Sequence, residues 1–463
     1  MANIQFNPYS PKEEQKKEEL IDITLGVFFD GTLNNKNNTD ERKKNSAVFQ
    51  NEGKDKDEDT SYYNDWSNVA RLWDNYDKAK SIYIEGIGTE DNKSDTTQGY
   101  AFGTGTTGVR GKVRKGCEKV VTAAKEVAKN KKSKTINTLT LDVFGFSRGA
   151  AAARNFVYEI NKAKYKPTPV NHSKNDFAEP VWVDSDGYST TLQELPKRGH
   201  LGLKLKEAGI EVTNVVVRFL GIFDTVSSYG GSFKNDIEDL SLDSIQRAKS
   251  IIHFIAEDEH RENFALTNVN TGIEKKFPGV HSDIGGGYES GIETIEELET
   301  DWTNRNDLEP FRKQLIDQGW YKEDQLKYTG GNFYFALEGK RDLKKTYSYV
   351  PLHFMAKYGV LKELPINTNK IENMKYSISN DPLLVRVKNR LEPYVMGDGA
   401  YYSFKWFKDI HKKYESNKSS PNYQKELNEQ QDLRALRNGY LHWSAKREGI
   451  GMDPTSDRKR VVY

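Results

Sequence analysis

The chain has 463 residues, with 69 Lys and Arg against 68 Asp and Glu, which leaves a formal net charge of +1. Nucleic-acid-binding proteins carry a strong or clustered basic excess, so this balance argues against a nucleic-acid partner. The single cysteine, Cys117, excludes an internal disulfide and a zinc site built from several cysteines. The 21 Phe, 25 Tyr and 7 Trp can fill a hydrophobic core, which excludes a disordered chain.

The N-terminal segment 1–20 is polar and rich in Lys and Glu. It lacks the apolar stretch of a signal peptide, and no segment approaches the ~18 apolar residues that a membrane-spanning helix needs. We therefore expect a protein that is made in the cytoplasm without a cleaved signal peptide.

Strand and helix patterns alternate over the first half of the chain. Apolar runs predict strands at residues 23–29, 81–87, 138–144 and 211–222. Helical patterns cover residues 113–129, 148–159 and 243–264, and a short strand precedes the sequence FPGVHSDIGGGY. This alternation predicts a mostly parallel sheet with helices on both faces, an α/β fold in which 211–222 is a central strand.

Three parts of the chain follow from these patterns. The polar lead-in, 1–20, precedes an α/β core at 21–290. Residues 160–205 have no clear period and predict an insertion over that core. Residues 291–463 are mainly helical, and we expect this region to cover the core and to be able to return a catalytic histidine to it.

The strongest chemical signal is Gly145-Phe146-Ser147-Arg148-Gly149, which fits the pattern G-x-S-x-G. It lies between a hydrophobic strand and an Ala-rich helix, the context of a nucleophile elbow, where glycines permit a tight turn. Ser147 at a helix N-terminus would be exposed to attack a carbonyl carbon. The alternative is a serine whose side chain only caps the helix.

A serine hydroxyl needs an adjacent base, and that base needs an orienting carboxylate. Asp224 directly follows the strand at 211–222, which places it at the carboxyl edge of the sheet. Two histidines, His281 and His442, lie downstream of it. Either one gives the chain order Ser, Asp, His that this class of fold uses.

An oxyanion hole needs two backbone N–H donors. The N–H of Arg148, which follows the nucleophile, is one candidate, and Gly31 or Thr32 at the end of the first strand offers the second. The loss of one such donor typically costs roughly 3 kcal/mol of transition-state stabilisation.

Three other patterns in the sequence are typical of different kinds of site, but each lacks a required feature. FDGTL at 29–33 resembles the D-x-D-G-T loop of haloacid-dehalogenase-type phosphatases, but Phe28 stands where their nucleophilic Asp belongs. The glycines of 103–108 fit a dinucleotide fingerprint, but the strand before them ends too early. A metal held by His281, Asp283 and Asp224 lacks the tight ligand spacing of known sites.

Five sequence blocks together resemble a known family. They are FFDGTLNN at 28–35, GFSRGAAAAR at 145–154, FLGIFDTV at 219–226, AEDEHRENF at 256–264 and FPGVHSDIGGGY at 277–288. This set is similar to the α/β-hydrolase-type phospholipase effectors of type VI secretion systems, first family. The resemblance implies an α/β-hydrolase-like fold and an antibacterial enzyme that removes a fatty acyl chain from membrane phospholipid.

The resemblance also assigns residue roles. It implies Ser147 as nucleophile and Asp224 as triad acid. For the base, the family pattern offers both His281 in the HSD block and His442 in a C-terminal H-x-S element, and we favour His442 because the imidazole of this architecture normally follows the last strand. His281 would then shape the pocket, together with Asp283, Asp30, Gly145 and Gly149. The C-terminal part is short for the family, and the insertion at 160–205 has no counterpart in it.

The resulting hypothesis is a serine-dependent phospholipase of the A type, with no metal and no cofactor. Its expected partners are a phospholipid membrane as substrate, a secretion spike or tube protein, and a cognate immunity protein. Type VI secretion would deliver it to the periplasm of a target cell. The alternatives are a non-catalytic binding or delivery module of the same fold and a metal-dependent esterase.

Overall fold

A computed structural model describes residues 20–54, 60–131, 133, 135–170, 180–227, 237–331, 333–447 and 451–463. Its strands are β1 (Ile21–Phe29), β2 (Ser81–Ile84), β3 (Thr135–Phe146), β4 (Thr168–Val170), β5 (Val181–Val183), β6 (Glu211–Phe223), β7 (Ile251–Ala256), β8 (Ile273–Phe277), β9 (Gly291–Asp301), β10 (Leu326–Gly331) and β11 (Tyr334–Leu343).

The helices of the described chain are distributed along its whole length. They are α1 (Lys36–Lys43), α2 (Ala47–Glu52), α3 (Asn68–Asn75), α4 (Thr97–Phe102), α5 (Val109–Asn130), α6 (Arg148–Glu159), α7 (Gly199–Glu207), α8 (His281–Gly285), α9 (Glu309–Asp317), α10 (Tyr349–Leu361), α11 (Thr368–Lys370), α12 (Pro382–Val395), α13 (Phe407–Lys413) and α14 (Pro421–Gly439).

The central sheet has six strands in the order β2-β1-β3-β6-β7-β8, and every neighbouring pair is parallel. The strands β3 and β6 lie at its centre, and their register pairs Phe146 with Phe223. Because the two strands run in the same direction, the residues that follow them, Ser147 and Asp224, leave the sheet side by side at its carboxyl edge. This register positions the candidate site.

Two hydrophobic clusters cover the faces of this sheet. One contains buried residues of α5 and α6, such as Val120 and Phe156. The other contains buried residues of α3 and α10, such as Leu72 and Leu352, and continues into the C-terminal helices. Each buried side chain of this size stabilises the fold by roughly 1.5–3 kcal/mol. The α/β-hydrolase-like class, with a parallel sheet between helices, is confirmed.

Most predicted elements of the first half have the expected type, with shifted ends. The helix at 148–159 is confirmed with the predicted bounds. The helix predicted from 113 begins at Val109, directly after Gly108, because this glycine allows a close approach: a Cβ there would lie 2.2 Å from the Gly103 carbonyl oxygen. Cys117 is buried on this helix.

The helical prediction for 243–264 is wrong. Within that range a short 3-10 turn, Ser244–Arg247, leads into the parallel strand β7. All six residues of this strand are buried, and a uniformly buried strand shows no period that separates it from a buried helix. The β-branched residues Ile251, Ile252 and Ile255 favour the strand.

The C-terminal part is mainly helical, but it also contains an antiparallel sheet in the order β10-β11-β9 that was not predicted. The insertion at 160–205 carries the two-stranded sheet β4-β5 and the start of α7, with residues 171–179 outside the described chain. Within the described ranges, no helix is both long enough and apolar enough to cross a bilayer.

Candidate active site

The predicted nucleophile lies at a sharp bend between β3 and α6. Ser147 has φ 58° and ψ −132°, a conformation that is uncommon for a residue with a side chain. Its N–H donates to the Phe223 carbonyl oxygen at 3.0 Å, which holds the bend against β6. Ser147 occupies the N-cap position of α6, but its side chain makes no capping hydrogen bond. The side chain is therefore not a helix cap. Ser147 is nevertheless buried, with 5% of its surface exposed, so the expected exposure of this residue is wrong.

The two glycines of the motif allow neighbouring backbone to pass within contact distance of the bend. A Cβ on Gly149 would lie 2.1 Å from the Asp30 carbonyl oxygen at the end of β1. A Cβ on Gly145 would lie 2.5 Å from the Gly149 carbonyl oxygen. Neither position can hold a larger residue without moving the backbone around Ser147.

The predicted acid, Asp224, is fully buried and follows β6 with φ 43°. Its Oδ2 accepts a hydrogen bond from His281 Nδ1 at 2.5 Å. Its Oδ1 accepts from the Ala256 N–H at 2.8 Å, and both oxygens bind the Arg460 guanidinium. Burial alone would raise the pKa of Asp224, but Arg460 and His281 outweigh it and hold this pKa well below its usual range. Asp224 is therefore ionised.

His281 is the first residue of α8 and is itself buried. Its ring packs between Phe146, the residue before Ser147, and Phe264, with ring centroids 4.6 and 5.0 Å away. Burial lowers the pKa of His281, and Asp224 only partly opposes this effect. The imidazole is thus neutral near pH 7, and because Nδ1 bonds to Asp224, Nε2 is the nitrogen left to accept a proton.

The other candidate histidine, His442, binds a different carboxylate. Its Nδ1 lies 2.8 Å from Asp283 Oδ1, and its N–H donates to Asp283 Oδ2 at 3.0 Å. Its ring stacks on Tyr288 with centroids 3.7 Å apart. The family resemblance favoured His442 as the base, but the structure brings His281 to Asp224 and ties His442 to Asp283 instead.

The backbone N–H groups of Gly31 and Thr32, the two candidates for the second oxyanion donor, differ in whether they already donate a hydrogen bond. The Gly31 N–H donates to Asp30 Oδ1 at 2.8 Å, so it does not match the expected role of an oxyanion donor. The Thr32 N–H has no acceptor among the described residues, and the Thr32 hydroxyl accepts from Arg148 Nε at 2.9 Å. This bond ties the loop after β1 to the start of α6, the two segments that would supply the donors.

Asp30 is a buried structural carboxyl of the same edge. It accepts hydrogen bonds from Ser67 Oγ at 2.5 Å and Tyr83 OH at 2.6 Å, in addition to Gly31. Burial raises the pKa of Asp30 to about 6, although these hydrogen bonds oppose it. Asp30 therefore holds the loop after β1 in place.

The sequence analysis did not identify the charged side chains around His281 and Asp224, which are Glu259, Arg261 and Arg460. Glu259 accepts hydrogen bonds from Arg261 Nη2 at 2.8 Å and from the His281 N–H at 3.2 Å. The Arg261 guanidinium lies 3.4 Å from the centroid of the Phe264 ring, which in turn contacts His281. The block AEDEHRENF was a usable signal for these residues. Nothing in the sequence pointed to Arg460.

A cavity of about 760 Å³ lies beyond these groups and is lined by His260, His442, Trp443 and Arg460 among others. Neither Ser147 nor His281 contributes to its lining. Within the described ranges, no group of three or more His, Cys, Asp or Glu side chains is arranged to hold a metal ion. In particular, His281 and Asp283, two of the considered metal ligands, are bound to Asp224 and His442 respectively.

Comparison with known proteins decides the family. Residues 24–306, more than half of the chain, match the model of the catalytic domain of the type VI secretion (T6SS) phospholipase effector Tle1-like family. The chain belongs to the Tle1-like phospholipase effectors. The resemblance inferred from the five sequence blocks is thereby confirmed, and with it a lipid hydrolase family of type VI secretion. No curated protein matches the chain in sequence.

One solved structure supports the fold of the chain. A structure of the Tle1 effector bound to the VgrG spike of the type VI secretion system aligns with a TM-score of 0.56 and 21% identity, and covers 99% of this chain and 98% of that one. An uncharacterized protein from Pseudomonas aeruginosa aligns over 95% of this chain and 65% of its own, with 16% identity. Its TM-score of 0.38 is too low to indicate a shared fold.

Proposed function

We propose that this Tle1-like protein is a serine-dependent phospholipase of the A type, with Ser147, His281 and Asp224 as its triad. One observation carries the proposal: the β3–β6 register sets Ser147 beside Asp224, and Asp224 is hydrogen-bonded to His281, whose ring packs on the residue before Ser147. A nucleophile, a base and an orienting carboxylate in this relation are the parts of an acyl-transfer site.

The first half of the reaction forms an acyl-enzyme. His281 Nε2 takes the proton of the Ser147 hydroxyl as Oγ attacks the acyl carbonyl carbon of the lipid. Asp224 keeps the imidazole in the correct tautomer and stabilises the imidazolium that forms. The N–H groups of Arg148 and Thr32 stabilise the oxyanion, and the lysophospholipid leaves with the proton from His281.

The second half releases the fatty acid. Water gives a proton to the same Nε2 and attacks the acyl-enzyme carbonyl, and the proton then returns to Ser147. This scheme uses only groups of the chain and one water molecule. His442, Asp283, Asp30, Gly145 and Gly149 would shape and support the site without exchanging protons with the lipid.

The partners follow from the family at the level of a proposal. The similar solved structure is that of an effector bound to a VgrG spike, and we propose that a spike protein of this kind carries this chain. Its substrate would then be the glycerophospholipid of a target cell, reached from the periplasm. A protein with this activity would require a cognate immunity protein in the cell that makes it.

Hydrolysis of phospholipid in mixed micelles tests the proposal. The wild-type protein should release fatty acid and lysophospholipid in equal amounts, which mass spectrometry identifies. The Ser147→Ala variant should lose at least about 10³-fold of the rate with its fold intact, and a chelator should leave the wild-type rate unchanged. Equal rates in wild type and Ser147→Ala would show that Ser147 is not the nucleophile. Loss of the wild-type activity in the presence of the chelator would support a metal-dependent esterase.

A wild-type protein that is folded but cleaves no ester would support the alternative of a binding or delivery module. Near-ultraviolet circular dichroism of wild type and Ser147→Ala establishes that both are folded.

A further inference from the structure

The last described segment of the chain, residues 451–463, which we call the C-terminal strap, runs along the loop after β7. The Leu266 N–H donates to the Val461 carbonyl oxygen, and the Tyr463 N–H donates to the Leu266 carbonyl oxygen, both at 2.9 Å. Near the start of the strap, the Glu262 N–H donates to the Asp453 carbonyl oxygen at 2.9 Å. The strap is therefore fixed against the same loop that supplies Phe264 and Arg261.

One strap side chain reaches the triad. Arg460 is nearly buried, and its Nη1 and Nη2 lie 2.6 and 2.8 Å from the two oxygens of Asp224. Its Nε donates to the Phe264 carbonyl oxygen at 2.7 Å. The Arg460 guanidinium therefore contacts both Asp224 and the backbone of Phe264, whose ring packs against His281. Such a forked contact fixes the plane of a carboxylate as well as its charge.

The fork determines which lone pairs of Asp224 are available. Oδ2 binds both Arg460 and His281, whereas Oδ1 binds Arg460 and the Ala256 N–H. With the carboxylate plane fixed, Oδ2 remains directed at His281 Nδ1. Without the fork, the Asp224 side chain could rotate away from this direction, and the imidazole would lose its orientation.

We propose that Arg460 is a positioning residue of the reaction, which holds Asp224 and Phe264 so that His281 is oriented toward Ser147. This role rests on the proposed hydrolase function. It makes the far C-terminal strap a part of the site, although the strap lies about 180 residues after the histidine along the chain.

Arg460 also sets the charge around the imidazole. The charged side chains that face His281 are Asp224 and Glu259, which favour imidazolium, and Arg261 and Arg460, which disfavour it. Removal of the Arg460 charge leaves the two carboxylates opposed by one cation only. Imidazolium then becomes more favourable, so the pKa of His281 rises.

The base must be neutral to accept a proton, so activity falls on the acid side as His281 becomes protonated. A higher His281 pKa moves this acid limb of kcat/KM to higher pH. A residue with a purely structural role would lower the rate at all pH values without moving the limb.

The experiment measures kcat/KM against pH with a short-chain p-nitrophenyl ester, which is soluble and needs no membrane. It compares wild type, Ser147→Ala, Arg460→Gln, Arg460→Lys and the matched control Arg458→Gln. Arg458 is on the same strap, and its guanidinium binds Glu299 and the Leu298 carbonyl oxygen rather than the triad. The control therefore removes the same charge from the strap and leaves Asp224 untouched.

We expect Arg460→Gln to move the acid limb upward by about one pH unit, while Arg458→Gln keeps the wild-type profile. Arg460→Lys keeps the cation, so its limb should stay near that of wild type. Its plateau should fall by roughly tenfold, because an ammonium group cannot bind both carboxylate oxygens and the Phe264 carbonyl at once. This variant carries the test if Arg460→Gln does not fold.

A wild-type acid limb in Arg460→Gln would overturn the proposal, and so would a wild-type plateau in Arg460→Lys. If wild type and Ser147→Ala are equally inactive on the ester, the proposed hydrolase function fails, and the role of Arg460 in it fails as well. An active wild type whose acid limb is unchanged in Arg460→Gln contradicts the role of Arg460 alone.

Discussion

The two Asp–His pairs of this protein, Asp224–His281 and Asp283–His442, use the same side chains in different surroundings. Asp224 has its own cation, Arg460, and although burial opposes this, its pKa lies below the usual range. Asp283 is bound by His442 and by the backbone N–H groups of Val280 and His442. Burial prevails there, and the pKa of Asp283 is raised.

From this difference we infer that the groups around an Asp–His pair determine its role. A carboxylate that stays ionised can stabilise an imidazolium, which suits the pair beside Ser147. A carboxyl group that accepts backbone hydrogen bonds ties two segments together, here α8 and the chain after α14. Chain order and residue type do not separate the two histidines, whereas their neighbours do.

The largest expected effect separates the two carboxylates. Asp224→Asn should lower kcat by roughly 10³–10⁴-fold, because the amide stabilises the wrong imidazole tautomer. Asp283→Asn should stay within about tenfold of wild type. Hydrolysis of a soluble ester by both variants, with circular dichroism as the control for folding, measures the difference. Equal losses in the two variants would break the distinction between the pairs.

A smaller effect is expected on stability. His442→Ala removes the side-chain hydrogen bond to Asp283 and the stacking on Tyr288, and it leaves the buried Oδ1 of Asp283 without its partner. Such a loss typically costs about 1–3 kcal/mol of the free energy of unfolding. Urea denaturation measures this loss of stability, and the folded His442→Ala protein should still cleave ester at near the wild-type rate. A loss of activity as large as that of Ser147→Ala would assign His442 to the reaction.

The smallest expected effect concerns stability: the contributions of Asp224 and Asp283 to the free energy of unfolding should depend on pH in opposite directions. The folded-state pKa of Asp224 lies below its unfolded value, so its stabilisation is present above about pH 4 and is lost as the pH falls further. Asp283 has a raised folded-state pKa, so its stabilisation is present at low pH and is lost as the pH rises through that pKa.

Urea unfolding between about pH 3 and about pH 7 tests these signs. The free energy of unfolding of wild type minus that of Asp224→Asn should shrink toward low pH. The same difference for Asp283→Asn should shrink toward high pH. Two differences that change in the same direction would show that the surroundings of the two carboxyl groups are not distinct.

Local sequence signals predicted the centre of the fold well. The strand, tight turn and Ala-rich helix around Ser147 depend on residues that are adjacent in sequence, and so does Asp224 at the end of a β-branched strand. The strand β7 was misjudged because burial on both faces removes the period that distinguishes a strand from a helix. The strands β10 and β11 form a local hairpin, whereas β9 pairs with β11 over a long separation, for example Asp301 with Phe335, which local patterns do not report.

The choice of base and the role of the strap were beyond sequence reasoning for a related reason. Both depend on contacts between residues far apart in the chain, such as Asp224 with Arg460 and Asp283 with His442. An arginine in a charged tail has no local feature that indicates a buried partner. A histidine in a glycine-rich turn likewise reveals its role only when the carboxylate beside it is known.

Covalent labelling by a fluorophosphonate probe tests the central claim most directly, because it reports the activated serine itself. The measurement is the mass of the intact protein and of the peptide that contains Ser147, for wild type, His281→Gln and His442→Gln. We predict stoichiometric labelling of Ser147 in wild type and His442→Gln, and almost none in His281→Gln. Labelling that persists in His281→Gln and disappears in His442→Gln would contradict the account.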